Sequence, residues 1–364
     1  MQTQNTSKPG RIESIDAMRG WVMFMLISSG FGTRALLDQP FWGDIGILFT
    51  HHPWHGLRPW DLVMPLFMFV AGVSMPFAFA KRAALGQSRG QMLGHVLRRS
   101  ATLLVLGVFL VSVHGKAPVF NMINVLSQLS VAYLLAYLLM RRSLRYQVLA
   151  TLVILLVYDL AYRFFPYAQF FPEATSPWDL NQNLGAYVEV MFLGSVPAEG
   201  WLSLNFISLA AHTVWGVCAG LLLKSDRLPG QKLRYFLVSG AILLIVGLLL
   251  AYVTPINKRI ATSTYVLHTG GWCLLIMAFF YWFVDLKKQG GKIHFLTIVG
   301  MNSIFIYMVG QLLGGWSSSI IGIFDAPILE NTGTFGVLLH HNLKVLWFWY
   351  LCWWLYKRKI FIKI

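Results

Sequence analysis

Ten apolar stretches alternate with polar loops along this chain, and each is long enough, or nearly so, to cross about 30 Å of hydrocarbon. They run over approximately 15–34, 60–80, 99–114, 122–140, 146–165, 205–224, 235–253, 262–284, 296–314 and 336–356. The expected fold is all-α: a polytopic transmembrane helical bundle of about ten helices. A soluble globule is excluded by composition, because 57% of the 364 residues are hydrophobic and only 12% are charged. A soluble domain carries about a quarter charged residues. The net charge of +15 does not indicate nucleic acid once its distribution is followed. Of the Lys and Arg residues, 22 fall on one set of segments, among them Arg19, Arg82, Arg98, Arg99 and Lys357, and 7 on the other. The basic set, with both termini, is therefore expected in the cytoplasm and the bundle in a plasma (cell inner) membrane.

The chain reads as one transmembrane domain over 1–364, with a short cytoplasmic tail at 1–14 that has no signal-peptide cleavage site. Cys218, Cys273 and Cys352 sit in apolar runs without CxxC spacing and are expected as small buried side chains. Two long loops, about 35–59 and 166–204, face away from the cytoplasm and are rich in Trp, Phe, Pro and Gly. They suit either lids over a cavity or an interfacial aromatic belt.

Chemistry concentrates in Thr50-His51-His52-Pro53-Trp54-His55-Gly56-Leu57-Arg58-Pro59-Trp60-Asp61, at the mouth of the second run. Histidine exchanges a proton near neutrality, and an aspartate that orients it is a recurring catalytic arrangement. A carboxylate at membrane depth has to face protein or water, so Asp61 is either the partner of a histidine or half of an ion pair with Arg19 or Arg58. The three histidines read equally as interfacial anchors. A metal site would need a second group of ligands at suitable spacing, and none is present, so no metal is expected. Asn257, Lys258 and Arg259 follow the seventh run on the side where basic residues are scarce. They are placed either to snorkel to headgroups or to donate to a sugar-like or anionic ligand. Asp16 and Arg19 share one face of the first helix, where Arg19 either pairs locally or meets a phosphate from the cytoplasm. Asn124, Gln128 and Asn302 are polar groups within apolar helices, suited to joining helices or lining a cavity.

Ser14-Ile15-Asp16-Ala17-Met18-Arg19-Gly20 resembles the opening S-(I/L/V)-D-x-x-R-G of the heparan-α-glucosaminide N-acetyltransferase family of transmembrane acyltransferases, which has bacterial members. His51 through Pro65 is similar to its H-x-x-W-x-G-x-x-x-x-D-L-x-x-P segment. Glu199-Gly200-Trp201-Leu202-Ser203, Pro255-Ile256-Asn257-Lys258 and Gly300-Met301-Asn302-Ser303 follow in the family's order. The resemblance implies transfer of an acetyl group from cytoplasmic acetyl-CoA, as co-substrate, to the amine of glucosamine or a related amino sugar on the far side. It implies His51, three residues before the Trp, as the active histidine and Asp61 as its aspartate. Arg19, Asn124 and Asn302 are expected on the acetyl-CoA side, and Asn257, Lys258, Trp54 and Glu199 on the acceptor side. Two features depart from the family: Val125-Leu126-Ser127-Gln128-Leu129 lacks the arginine of V-L-Q-R-I, and no N-Y-G-G stretch precedes the histidine. The large lumenal domain of eukaryotic members is also absent, so a small free amino sugar is the expected acceptor. The expected partners are that sugar, membrane lipids and, through an exposed helix, a second copy in a homodimer, with no nucleic acid. His51 would act as general base or carry the acetyl group itself. Rival readings are an amino-sugar transporter and an acyltransferase for a lipid-linked or envelope glycan. No inverted repeat supports the transporter.

Overall fold

The computed structural model describes residues 12–196 and 199–362, so most of the tail expected at 1–14 lies outside the described residues. Within them the chain is all-α, with twelve helices of more than one or two turns. They are α1 (Glu13–Ser28), α2 (Val63–Ala84), α3 (Arg89–Gly115), α4 (Val125–Met140), α5 (Leu144–Arg163), α6 (Leu184–Leu193), α7 (Phe206–Lys224), α8 (Pro229–Leu250), α9 (Ser263–Phe280), α10 (His294–Met301), α11 (Ser303–Thr332) and α12 (Thr334–Lys357). Each of the ten apolar runs carries a long helix. Seven helical segments are long and apolar enough to cross a membrane, so this is a multi-pass membrane protein. The helices under the other three runs, α1, α4 and α12, do not meet that measure. The first two have 16 residues each, about 24 Å of helix, and α12 carries His340, His341, Asn342 and Lys344.

Several boundaries differ from expectation for identifiable reasons. The first run was expected to continue to 34, but α1 stops at Ser28. Ser29, Gly30, Phe31 and Gly32 all take positive φ, which an α-helix cannot hold. The run expected over 296–314 is broken at Asn302, whose φ of −121° and ψ of 38° interrupt the ladder between α10 and α11. Beyond 314 a loop was expected, yet α11 remains helical to Thr332. α3 begins at Arg89, where Ser88 and Gln91 form a capping box, so Arg98 and Arg99 stand on a helix rather than in a loop. The long 166–204 segment contains α6, capped by the Asn183 side chain accepting from Ala186 N.

The core is organised by α2 packed against α7. Gly72 and Gly216 bring the two backbones together: a Cβ at Gly72 would lie 2.0 Å from the Thr213 carbonyl oxygen, and one at Gly216 2.1 Å from that of Phe69. Small residues permit this approach, and in lipid close van der Waals packing is what holds helices together. α4 and α5 pack on the other sides of α7, α9 pairs with α8, and α1 packs on both α2 and α10. α2 therefore forms an axis, with Asp61 just before its start and Lys81 and Arg82 in its last turn.

Gly216→Leu is expected to destabilise the bundle by about 1–3 kcal/mol or more, because neither backbone can yield. Gly230→Leu, at a position with nothing within 4 Å of an added Cβ, serves as the matched control. Thermal unfolding in detergent should show a clear loss for the first and little change for the second.

Candidate active site

The loop before α2 folds around one carboxylate. Asp61 is fully buried, and its Oδ2 accepts hydrogen bonds from the backbone N–H of Arg58 at 2.9 Å and of His52 at 3.2 Å. Its Oδ1 lies 2.8 Å from His51 Nδ1 and 3.2 Å from Lys258 Nζ. The Asp61 carbonyl accepts from Tyr265 Oη at 2.8 Å. Of the two arginine partners considered for Asp61, neither guanidinium is used. Arg58 supplies its backbone amide and sends its guanidinium to Thr50 Oγ1 and the His51 carbonyl. Arg19 lies far down the bundle, bonded to Asp16 at 3.0 Å and to Ser74 Oγ.

Lys258 reaches Asp61 from a second loop, 251–262, that is stiffened by its own polar groups. Thr262 Oγ1 donates to the Pro255 carbonyl at 2.8 Å and accepts from Asn257 N at 3.0 Å. Asn257 Oδ1 accepts from Ile260 N at 3.0 Å, and the Ile256 carbonyl takes the Gly56 N–H at 2.7 Å, stitching the two loops together. Asn257 Nδ2 is buried without a partner, so its amide is only half used by the fold.

The hydrogen bonds select the histidine tautomer. A carboxylate only accepts, so the short contact to Asp61 places the proton on His51 Nδ1 and leaves the Nε2 lone pair for a substrate. Lys258 Nζ, 3.0 Å from the same Nδ1, then donates to Asp61. Burial, more than any other influence, holds the His51 pKa below the usual 6.5, with the Asp61 hydrogen bond opposing and Lys258 adding to the effect. Burial also brings Lys258 down to about 8, with Asp61 opposing. At neutral pH this combination is a neutral imidazole beside a charged ammonium and a carboxylate. The imidazole is still reachable, since the His51 side chain is 36% exposed.

His52 and His55 do not join this group through their rings. His52 offers Asp61 its backbone N–H, and His55 packs on Trp54 at 5.9 Å. Trp54 is structural in its contacts, donating Nε1 to the Trp178 carbonyl at 2.9 Å. Glu199 accepts from Trp201 Nε1 at 3.1 Å and gives its carbonyl to Arg259. It therefore positions Trp201, whose ring stands edge-on to His51 at 5.5 Å and lies beneath Lys258 and Arg259 at 5.3 and 5.5 Å. Trp201 and Tyr265 are the site residues that sequence reasoning missed. Trp201 lies within the Glu199–Ser203 motif, but Tyr265 is one aromatic among many and carries no sequence signal.

Arg19 belongs to a second place at the opposite end of α2. There a cavity of about 310 Å³ is lined by Arg19, Ser74, Arg82, Arg99, Tyr133 and Ser303 among others, and reaches up to Phe67. An adjoining cavity of about 480 Å³ shares Arg82, Arg99 and Tyr133 and adds Arg98 and His95. The α2 residues involved, Phe67, Val70, Ala71, Ser74, Met75, Ala78 and Arg82, recur every three or four positions. One face of α2 thus borders open space over about 22 Å. The ceiling is Phe67 stacked on Tyr307 at 6.2 Å. Asn124 and Asn302 do not line this space. Asn124 caps α4 by accepting from Leu126 N at 2.9 Å and approaches Tyr307 Oη at 3.4 Å. Asn302 binds the tail after α12, donating to the Ile360 carbonyl at 3.1 Å and accepting from Ile362 N at 2.9 Å.

Residues 11–190 match the family described as "Heparan-alpha-glucosaminide N-acetyltransferase, catalytic". The chain is similar to this family over that stretch, which is just under half of its length. It contains His51, Asp61, Arg19 and the cavity arginines, whereas Lys258, Trp201 and Tyr265 lie beyond the matched stretch. The human protein named heparan-alpha-glucosaminide N-acetyltransferase is 29% identical over 104 residues, covering 29% of this chain and 14% of that protein. The mouse protein of the same name is 28% identical over 106 residues, covering 29% and 15%. The aligned stretches thus span about a seventh of each relative's length.

Asp61→Ala is expected to cost about 3–5 kcal/mol, because it leaves the buried Lys258 without its counter-charge. Asp61→Ala combined with Lys258→Met should recover much of that loss. A double variant no more stable in detergent than Asp61→Ala alone would show that the two residues are not energetically coupled.

Proposed function

We propose that this protein is an acetyl-CoA-dependent N-acetyltransferase of a plasma (inner) membrane. It passes the acetyl group to the amine of a small amino sugar, glucosamine or a close relative, on the side away from the cytoplasm. The observation that carries this reading is the disposition of two sites along α2. An arginine-lined space rises from its basic end, and a neutral histidine with a free Nε2 waits at the other. Guanidinium groups bind phosphate oxygens through paired hydrogen bonds, so Arg19, Arg82, Arg98 and Arg99 are suited to the nucleotide end of acetyl-CoA. The narrow strip along α2 suits its extended arm. Positive-inside topology puts that end in the cytoplasm.

At the other end, His51 Nε2 takes the proton that an amino-sugar ammonium must lose before its nitrogen can attack the thioester carbon. The C–N bond forms, the C–S bond breaks, and the CoA thiolate leaves. Asp61 holds the imidazole by Nδ1 and stabilises the imidazolium that results. The Asn257 amide and the Lys258 ammonium are the donors nearest to this chemistry. A route through acetyl-imidazole uses the same Nε2 and the same Asp61 support. The match to a family named for this reaction supports the acyl chemistry. The sugar acceptor rests on the names of relatives that are aligned over a small part of their length.

The test is release of free CoA thiol from acetyl-CoA and glucosamine by purified protein in detergent. His51→Ala should lower kcat by about 10²- to 10⁴-fold while CoA still binds. A transporter would release no thiol and would instead move labelled sugar into liposomes, which would overturn the proposal. Arg82→Ala with Arg98→Ala should act mainly on the KM for acetyl-CoA.

A pH profile checks the electrostatics. A base works above its pKa, and that of His51 lies below 6.5, so the acidic limb of kcat/KM should fall below that value. Lys258→Met removes a nearby positive charge, which raises the His51 pKa, so the limb should move to higher pH. A limb that stays put or moves down would contradict this arrangement.

A further inference from the structure

A second histidine–aspartate pair lies far from the first in sequence. His340, on α12, has Nδ1 2.8 Å from Asp325 Oδ2, and its Nε2 is in hydrogen-bond contact with Ser318 Oγ. Ser318 and Asp325 are seven residues apart on α11, two turns on one face. Asp325 is 3% exposed, and its Oδ1 has no partner. As before, the carboxylate fixes the Nδ1–H tautomer. Here, however, the Nε2 lone pair meets a serine hydroxyl, which donates to it. Nucleophile, base and orienting acid thus stand in the order that activates a serine.

The serine opens onto space. A cavity of about 320 Å³ between α1, α11 and α12 is lined by Ser318, Gln311, Lys344, His114, Gly314 and Gly315, among others. The two glycines are a turn before Ser318, and an added Cβ at either would meet nothing within 4 Å, so the approach to Oγ is clear. Lys344 lies four residues after His340 on the same face of α12 and is 8% exposed. It has no hydrogen-bond or ion-pair partner among the described residues. A nearly buried, unpaired ammonium on the wall of the cavity that Ser318 also lines is suited to a developing oxyanion, and Gln311, two turns before Ser318, is a second donor on that wall. Ser318 lies about 22 Å along α11 from Ser303, toward the end of the bundle that carries the His51 loop.

We propose that Ser318, His340 and Asp325 form a second catalytic centre that hydrolyses small carboxylic esters through an acyl-serine. Ser318 Oγ attacks the ester carbonyl as its proton passes to His340 Nε2. The carbon–oxygen bond to the alcohol breaks, and His340 returns that proton to the departing alcohol. A water then gives its proton to His340 and attacks the acyl-serine, releasing the carboxylic acid and restoring the Ser318 hydroxyl. Lys344 and Gln311 hold the carbonyl oxygen in both halves. The size of the cavity limits the acyl group to a short chain. This centre is independent of acetyl transfer at His51, and its failure would leave that reading untouched.

The test uses the full-length protein in detergent with a small fluorophosphonate, which phosphonylates activated serines with loss of fluoride, and p-nitrophenyl acetate as the ester. The modified peptide is located by mass spectrometry. The expected result is labelling at Ser318 that disappears in Ser318→Ala and slows by about 100-fold or more in His340→Ala. It should persist in His51→Ala, and p-nitrophenol release should fall in parallel with it. Asp325→Asn, which keeps the shape of the side chain, should also slow labelling. No label at Ser318 in the wild-type protein, or a label there that is indifferent to His340→Ala, overturns the proposal.

Discussion

The buried carboxylate of Asp61 is the point on which both ends of the His51 site depend. It takes two backbone amides from its own loop, an imidazole from that loop and an ammonium from a loop nearly two hundred residues later. An ionised carboxyl removed from water at the top of a membrane helix is tolerable only when its lone pairs are filled. Filling them closes the 50–62 loop into one shape. The same contacts settle which nitrogen of His51 carries a proton and hold Lys258 against the ring of Trp201. Protonation, position and loop closure at this site are therefore one physical event.

α2 transmits that arrangement to the other end of the molecule. Its contact with α7 at Gly72 and Gly216 is backbone against backbone, so no flexible side chain intervenes to let the helices slide. The face of α2 turned away from this contact borders the arginine-lined space, and Arg19 anchors to it through Ser74. Pro76 removes one hydrogen bond from the α2 ladder between the basic end and Asp61, so what couples the two ends is chiefly this packing of α2 on α7. Such a contact suits the proposed reaction, in which the arginine-lined space and His51 would act on the two ends of one co-substrate.

The ten apolar runs were legible because hydrocarbon demands long apolar stretches, and the resulting helices follow them closely. What the pattern could not show were breaks made by single residues. Asn302 sits inside an apolar run, and nothing in its neighbours marks it as the place where α10 ends and a tail is bound. The region after 314 looked like a loop because Gly314, Gly315, the three serines 317–319 and Asp325 are poor lipid-facing residues. They are helical instead, and Gly314, Gly315 and Ser318 line a cavity, so polarity there did not mark a connection. His51 and Asp61 stood out by type and spacing. Lys258 stood out by being basic on the wrong side. Asn124 and Asn302, read as joining helices or lining a cavity, bond to a helix N-terminus and to the C-terminal tail, since an amide that satisfies backbone looks the same in sequence as one that faces a ligand.

The two histidine–aspartate pairs show how little separates different chemistries once a carboxylate has chosen the tautomer. In each, the buried aspartate takes Nδ1–H and turns Nε2 outward. What Nε2 then meets decides the outcome. His51 faces an aromatic edge and is partly exposed, so in the proposed reaction its lone pair is kept for a proton or acyl group brought by a substrate. His340 faces a hydroxyl of the protein itself, so its lone pair is committed to making Ser318 a nucleophile. The cations are placed accordingly. Lys258 is bound to the carboxylate and acts on the protonation of the imidazole, whereas Lys344 stands apart from Asp325 with its charge unspent. An unspent charge on a nearly buried side chain is costly in the resting protein and is put to use when a negative oxygen arrives, which is the state that an acyl transfer at Ser318 would create.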